Sequence, residues 1–142
     1  MSEAPSRSGT PSHSETPSRI DALLAETRTH LDRVGPREAA RAQREDGALL
    51  VDIRYAALRE RDGTVPGALV VERNELEWRL DPTCPHRSPE ATSSDRPVIV
   101  LCNEGYASSL AARTLQLLGL TRVTDLEGGF QAWRAAGLAV DS

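Results

Sequence analysis

Cys102 lies in a short loop between a predicted strand and a predicted helix, a position suited to nucleophilic chemistry. The strand is the apolar, β-branched run Val98–Leu101, which is typical of a fully buried strand. The helix covers residues 107–118, where apolar residues recur at helical spacing and Gly119 follows as a stop. Because the loop between them must turn sharply, the sulfur is predicted to face the amino end of the helix.

The amino end of a helix is a favourable place for a thiolate. Amide N–H groups in the first turn have no partner within the helix, and the helix dipole favours negative charge there. A tight loop can aim further N–H groups at the same point, and Gly105 allows the backbone geometry that this requires. A thiolate held in this way is a nucleophile. From the spacing alone, a buried structural cysteine is an equally good interpretation.

Two absences limit how Cys102 can be activated. All 17 basic residues are arginine, so the chain has no lysine to form a Schiff base or to bind phosphate in a P-loop. The three histidines, His13, His30 and His86, lie outside the cysteine loop. Distance along the chain does not exclude a Cys–His dyad, but no motif supports one. Activation is therefore expected from the loop N–H groups and the helix.

Asp52 and Arg54 close another strongly predicted strand, residues 48–53. The favoured interpretation is structural: the two side chains form an ion pair, or bond the backbone, and so fix the loop that follows. A contact from Arg54 to a substrate is the alternative.

Arg73 and Arg79 lie in a helix predicted over residues 73–80, which follows a strand predicted over residues 68–71. Open α/β sheets bind ligands at the carboxyl ends of their strands. Arg73 is therefore the first candidate for a cation near the sulfur, and Arg79 is the second. The alternative is that both are solvated arginines whose aliphatic stems cover Trp78.

The segment 81–95 is predicted to be a loop, and it carries Cys84 and His86. A Cys-Pro-His triplet lacks the remaining ligands of a zinc site, so we expect no metal here. Cys84 could act as a resolving thiol for Cys102 only if the loop folded over the site.

Four stretches resemble the motifs of rhodanese-like proteins, the sulfurtransferase superfamily. Residues 102–107, followed by Ser108 and Ser109, resemble that family's active-site loop: a cysteine, two variable residues, a glycine and two more residues before a helix. Residues 49–54 resemble its strand ending in Asp-Val-Arg, residues 63–68 its Gly-His-Ile-Pro-Gly-Ala turn, and residues 127–133 its Gly-Gly-x-x-x-Trp helix start. Four motifs in the right order are far more specific than one.

The resemblance implies a three-layer α/β fold with a central parallel sheet of about five strands and helices on both faces. The alternation of strands and helices also indicates such a sheet. The implied reaction moves a sulfane sulfur from thiosulfate or an organic persulfide, through a persulfide on Cys102, to a thiol or cyanide. Gly128 and Gly129 are expected to let the backbone approach the active loop closely. The implied persulfide-binding residues are Asn103, Glu104, Gly105, Tyr106, Ala107 and Ser108.

Departures from the family pattern leave the donor and the catalytic role open. Thr64 replaces a histidine common in the family, Ala107 stands where many relatives have arginine, and the loop contains Glu104. The dianion thiosulfate is therefore a less obvious donor than an organic persulfide. These changes favour a non-catalytic rhodanese-like binding or persulfide-carrier module, whereas the presence of Cys102 favours an enzyme. A phosphatase of related fold would need arginine six residues after the cysteine, where this chain has Ser108.

Composition sets the outer limits of the prediction. A chain of 142 residues with a net charge of −4 indicates one domain and argues against nucleic-acid binding. No apolar run approaches the roughly 20 residues of a membrane span, and no signal-peptide pattern appears. Two cysteines without scaffold spacing are typical of a reducing cytoplasm. We expect a cytoplasmic monomer without a cofactor, acting on a small-molecule sulfur donor and acceptor.

The chain is predicted to have three segments. Residues 1–17 are rich in Ser, Thr and Pro, which predicts a disordered tail. Residues 18–31 open with a capping-box pattern and continue with apolar residues at helical spacing, which predicts a helical extension. Residues 32–140 form the predicted rhodanese-like domain, in which residues 33–34 could be a short first strand.

Overall fold

The computed structural model describes residues 17–142, in which short strands alternate with helices. The strands are β1 (Leu49–Asp52), β2 (Leu69–Val70), β3 (Val98–Leu101) and β4 (Val123–Asp125). The helices are α1 (Arg19–Arg28), α2 (Pro36–Glu45), α3 (Ala56–Asp62), α4 (Leu76–Leu80), α5 (Ala107–Leu117) and α6 (Gly129–Ala135). All but the last residue of the tail predicted over residues 1–17 lies outside the described residues.

The four strands form one parallel sheet in the order β2-β1-β3-β4. Asp52 at the end of β1 is paired in register with Leu101 at the end of β3. The carboxyl ends of parallel strands share one edge of a sheet, so the segments that follow β1 and β3 lie side by side. This edge therefore brings Arg54 and Cys102 into one neighbourhood.

Within residues 17–142 the sheet has four strands, slightly fewer than the predicted number of about five. Val34 makes a single parallel bridge to Leu126, in which the Val34 N–H donates to Asp125 O at 3.2 Å and Val34 O accepts from the Glu127 N–H at 2.8 Å. The extended run ends there because Gly35 caps α2 and Pro36 opens it. Two residues are too few to continue the ladder, so the predicted first strand is reduced to one bridge.

Helices cover both faces of the sheet, as predicted. Side chains alternate along a strand, so Leu49 and Val51 enter one buried cluster while Leu50 enters the other. The first cluster includes Leu76 and Leu80 of α4 and Ala111, Ala112 and Leu115 of α5. The second includes Ala39 and Ala40 of α2 and Phe130 and Trp133 of α6. This burial on both sides explains why the strands are continuous apolar runs.

The helix predicted over residues 73–80 is divided into a 3₁₀ turn, Arg73–Glu75, and the short helix α4. The predicted helical extension contains α1, whose Asp21 N–H donates to the Ser18 hydroxyl at 3.1 Å. Leu24 and Thr27 are buried where α1 packs on α5. No helix within residues 17–142 combines the length and apolar character needed to cross a lipid bilayer.

Candidate active site

The sulfur of Cys102 lies directly after β3 and accepts hydrogen bonds from two backbone amides. The Gly105 N–H donates to Sγ at 3.2 Å, and the Ser108 N–H donates to it at 3.4 Å. The first amide comes from the loop and the second from the first turn of α5, so loop and helix act on the same atom. Both donors favour negative charge on the sulfur.

Glycines allow α6 to approach the cysteine loop more closely than any other residue could. A Cβ atom at Gly129 would lie 2.6 Å from the carbonyl oxygen of Cys102, and one at Gly105 would lie 2.7 Å from the Gly128 nitrogen. Both residues also have positive φ, +61° and +92°. At this distance the first amides of α6 bond the loop, with the Phe130 N–H donating to Cys102 O at 2.9 Å.

Cys102 is only 6% exposed, but it lines a cavity of about 240 Å³. The other lining residues come from the segments after β1 and β3 and from the 3₁₀ turn: Ile53, Arg54, Tyr55, Leu58, Arg73, Asn103 and Ala107. Most of these side chains are apolar. The sulfur therefore opens onto a small pocket with little polar surface.

Asp52 and Arg54 form a fully buried ion pair beside this cavity. Arg54 Nη2 lies 2.8 Å from Asp52 Oδ2 and also donates to Gly63 O at 2.8 Å. The guanidinium stacks on Phe130, with its carbon 3.9 Å from the ring centroid. The carboxylate, the carbonyl and the ring hold the guanidinium in place, which fixes the loop at the pocket wall. Its remaining nitrogen, Nη1, is buried and has no hydrogen-bond partner.

The two other predicted arginines have different positions. Arg73 is half-buried, lines the Cys102 cavity and bonds both oxygens of Glu77, at 3.0 and 2.9 Å. Arg79 pairs with Glu75 at 3.2 Å and lines a separate depression with Trp78. The structure therefore brings Arg73, and not Arg79, to the wall of the Cys102 cavity. Glu104 of the loop is exposed.

Behind the loop, a buried carboxylate collects four hydrogen bonds. Asp125, at the end of β4, accepts from the hydroxyls of Ser108 at 2.7 Å and Ser109 at 2.8 Å. Arg33 bonds the same carboxylate through Nε at 2.9 Å and Nη2 at 3.2 Å. The start of α5 is thus tied to the sheet on the side away from the cavity residues, through a charge that is paired and fully hydrogen-bonded.

The order of these features matches a known family. A family model described as "Rhodanese-like domain" matches residues 36–136 of this chain. The chain belongs to the rhodanese-like family. The resemblance seen in its four sequence motifs is therefore confirmed.

Curated relatives in this family carry the name thiosulfate sulfurtransferase GlpE. The protein from Pseudomonas fluorescens strain SBW25 is 38% identical over 103 residues, which cover 70% of this chain and 82% of the relative. The protein from Stutzerimonas stutzeri is 33% identical over 110 residues, which cover 75% of this chain and 87% of the relative.

Solved structures share the rhodanese-like fold. A Rhodopseudomonas palustris protein of unknown function, described as a possible tyrosine phosphatase, superposes with a TM-score of 0.78 and 34% identity. The superposition covers 94% of this chain and all of that protein, and therefore includes residues outside 36–136. The human single-domain sulfurtransferase TSTD1 superposes with a TM-score of 0.63 and 25% identity, covering 72% of this chain and 95% of the human protein.

Two arginines at the loop precede the part of the chain that matches the rhodanese-like family, and no sequence motif singles them out. Arg28 Nη2 and Arg33 Nη2 both donate to Gly105 O, at 2.7 and 2.8 Å. A usable signal was Asp125, a carboxylate at the end of the short strand β4, because a buried charge requires a partner. No nearby sequence pattern indicated which arginines would lie close to the Asp125 carboxylate.

The second cysteine lies elsewhere. Cys84 is half-buried and lines a depression with Trp78 and Leu118, not the Cys102 cavity. Its Sγ accepts the His86 N–H at 3.4 Å. Within residues 17–142, no cluster of three or more His, Cys, Asp or Glu side chains could hold a metal ion.

Proposed function

We propose that this rhodanese-like protein is a sulfurtransferase whose nucleophile is Cys102. The observation that carries the proposal is a sulfur held at 3.2 and 3.4 Å from two amide N–H groups while it lines a cavity of about 240 Å³. The names of the curated relatives support the same activity. The proposed persulfide-binding loop is residues 103–108, of which Gly105 and Ser108 donate their amides to the sulfur.

The proposed reaction has two displacement steps. The Cys102 thiolate attacks the sulfane sulfur of the donor, the donor S–S bond breaks, and its electrons leave with sulfite from thiosulfate or with a thiolate from an organic persulfide. Cys102 then carries one extra sulfur as a persulfide. An acceptor thiolate or cyanide attacks that outer sulfur, which releases a new persulfide or thiocyanate and restores the Cys102 thiolate. Splitting one transfer into two steps is covalent catalysis.

The cavity favours an organic persulfide over thiosulfate as the donor. Its lining includes Ile53, Tyr55 and Leu58, which can contact the organic part of such a donor but do not neutralise a dianion. Arg73 supplies one cation, and that cation is already shared with Glu77 at 2.9 Å. We assign Arg73 to the anionic end of the donor, and Asp52 and Arg54 to shaping the pocket wall.

Phosphoryl transfer has less support from the same geometry. A transferred phosphoryl group needs donors for three charged oxygens, and phosphatases of related fold place an arginine six residues after the cysteine. Ser108 occupies that position, and its hydroxyl is bonded to Asp125 at 2.7 Å. The two arginines nearest the loop bond the carbonyl of Gly105.

The test is a mass measurement combined with turnover. The purified protein is incubated with glutathione persulfide or thiosulfate, and we expect a mass gain of one sulfur, about 32 Da, on Cys102. Cyanide should then release thiocyanate. The Cys102→Ser variant should lose both the adduct and the turnover, whereas Cys84→Ser, the matched control, should retain both.

The other outcomes separate the alternatives. An adduct on Cys102 without turnover would indicate a persulfide carrier. Absence of both adduct and turnover in the wild-type protein would indicate a rhodanese-like binding module. Equal turnover of the Cys102→Ser variant and the wild-type protein would contradict the proposed nucleophile.

A further inference from the structure

We propose that Arg28, the last residue of α1, is a positioning residue that holds the cysteine loop in its thiolate-binding conformation. This proposal rests on the proposed sulfurtransferase function and extends it to a residue outside the loop. It gives the helix that precedes the family-matched range 36–136 a part in the active site.

Arg28 contacts the loop at three points. Its Nη2 donates to Gly105 O at 2.7 Å, its Nε donates to the Ser109 hydroxyl at 3.1 Å, and its guanidinium carbon lies 5.7 Å from the centroid of the Tyr106 ring. Ser109 in turn donates to Asp125 at 2.8 Å. One side chain therefore joins the loop, the start of α5 and the buried carboxylate.

The bond to Gly105 O controls the direction of a loop amide. In a planar trans peptide, the carbonyl and the following N–H point in opposite directions. With Gly105 O fixed on Arg28 and Arg33, the Tyr106 N–H is turned away from both guanidinium groups. The preceding peptide supplies the Gly105 N–H that donates to Cys102 Sγ at 3.2 Å. Loss of the Arg28 bond would leave Gly105 O held by Arg33 alone, and would so weaken the hold on a glycine whose φ of +92° allows many other conformations.

The position of Arg28 has an electrostatic cost, which argues against an incidental contact. Burial of the guanidinium, and next repulsion from Arg33, lower the pKa of Arg28 from its usual value, while the negative charge of Asp125 opposes this shift. An arginine remains charged under such conditions. The charged guanidinium therefore places a positive charge against the loop that carries Cys102.

The location also accounts for a departure from the family pattern. Many rhodanese-like proteins have an arginine within the loop, at the position of Ala107 in this chain, and the loop here contains the carboxylate of Glu104 instead. Arg28 brings a cation to the same loop from α1. It reaches the backbone carbonyl and not the cavity, so its role is to hold the amides and not to bind the donor.

The experiment compares three variants of the full chain. R28Q removes the charge, R28K retains the charge but cannot reach Gly105 O and Ser109 together, and R19Q removes an exposed arginine from the other end of the same helix. The main measurement is the rate at which neutral iodoacetamide alkylates Cys102 at pH 7. A neutral probe has no charge for Arg28 to bind, so its rate reports on the sulfur itself. Persulfide formation from glutathione persulfide is measured in parallel.

We expect R28Q to slow both reactions about tenfold, the effect of losing one charge-assisted hydrogen bond. R28K should slow them about threefold, and R19Q should match the wild-type protein. Wild-type alkylation rates in R28Q would overturn the proposal. If R28Q does not show the circular dichroism spectrum of the folded protein, the alkylation rate of R28K is the test. A reduced rate in R28K then supports the proposal, and a wild-type rate overturns it. Alkylation slowed by R28Q in a protein that forms no persulfide would refute the sulfurtransferase function and leave the positioning role intact.

Discussion

The loop that carries Cys102 has two sides with opposite chemistry. Behind it, the buried carboxylate of Asp125 accepts hydrogen bonds from Arg33, Ser108 and Ser109. In front of it, Ile53, Tyr55 and Leu58 line a cavity with little polar surface. The side filled with charge is closed, and the open side is mostly apolar.

Because of this difference, the charged side of the loop positions the sulfur, and the apolar side selects the substrate. Charge-assisted bonds have demanding geometry, so a network of them fixes the loop that presents two amides to the sulfur. An apolar pocket discriminates mainly by shape and by the cost of burying charge. Substitutions behind the loop should therefore affect stability and every donor alike, whereas substitutions in front should change the preference between donors.

The largest effect is expected from Asp125→Asn, behind the loop. The change removes a fully buried negative charge and leaves Arg33, which is 15% exposed, with only the exposed Glu127 as an ionic partner. Breaking a buried ion pair costs about 3 kcal/mol or more of unfolding free energy. Urea denaturation at pH 7 measures this loss, and transfer from thiosulfate and from glutathione persulfide should decrease in the same proportion.

Glu127→Gln provides the matched control for that loss. The Glu127 carboxylate is exposed and lies 3.9 Å from Arg33 Nη1, so its removal should change the unfolding free energy by less than about 0.5 kcal/mol. Similar losses in the two variants would contradict the view that the closed side holds the loop. So would an Asp125→Asn variant that changed the preference between the two donors.

A smaller effect, and one on specificity alone, is expected from Ala107→Arg in front of the loop. Ala107 lines the cavity at the start of α5, so an arginine there adds a cation beside a mostly apolar surface. Attraction between unit charges about 4 Å apart in water is roughly 1 kcal/mol, which corresponds to about a fivefold change in rate. The ratio of kcat/KM for thiosulfate to that for glutathione persulfide should rise about fivefold.

Ala107→Gln tests whether this gain comes from charge or from size. It extends the side chain without adding a positive charge, so the ratio of the two kcat/KM values should stay near that of the wild-type protein. An equal rise in both variants would mean that side-chain size, and not charge, selects the donor.

The parts of this site that follow local rules could be predicted from the sequence. Cys102 and its loop were located because a buried strand and a helix each have a characteristic pattern, and only a turn fits between them. Trp133, the tryptophan of the Gly-Gly-x-x-x-Trp motif, packs in the core and is 3% exposed. At Gly129 a Cβ would lie 2.6 Å from Cys102 O, which is the kind of close approach expected of the paired glycines.

The closed side could not be predicted because its contacts are distant in sequence. Arg33 and Asp125 are separated by 92 positions, and Arg28 and Gly105 by 77. No local sequence pattern indicates which of the 17 arginines pairs with a given carboxylate. The length of the predicted first strand could not be predicted for a related reason. Residues 33–34 have strand-like character, but the start of α2 at Pro36 determines how far the pairing extends.

The smallest effect is expected at Asp62, which is linked to the edge of the cavity through Gln131. Gln131 Nε2 donates to Asp62 Oδ2 and to Asn103 Oδ1, both at 3.0 Å. The hydrogen bond from Arg61, with further contributions from Gln131 and Arg134, holds the pKa of Asp62 well below its usual value. We expect Asp62→Asn to lower the thermal midpoint slightly at pH 7.

The sign of the pH dependence follows from that lowered pKa. A carboxyl that ionises more readily in the folded protein adds stability above its unfolded pKa of about 3.9, and this contribution is lost as the pH falls through the folded value. Thermal midpoints measured from pH 7 to pH 2.5 should therefore show the wild-type advantage over Asp62→Asn shrinking below about pH 4. Asp46→Asn removes one exposed carboxylate and controls for net charge. A constant advantage down to pH 2.5 would show that Asp62 acts through shape alone, and the link from this carboxylate to Asn103 would then have no electrostatic component.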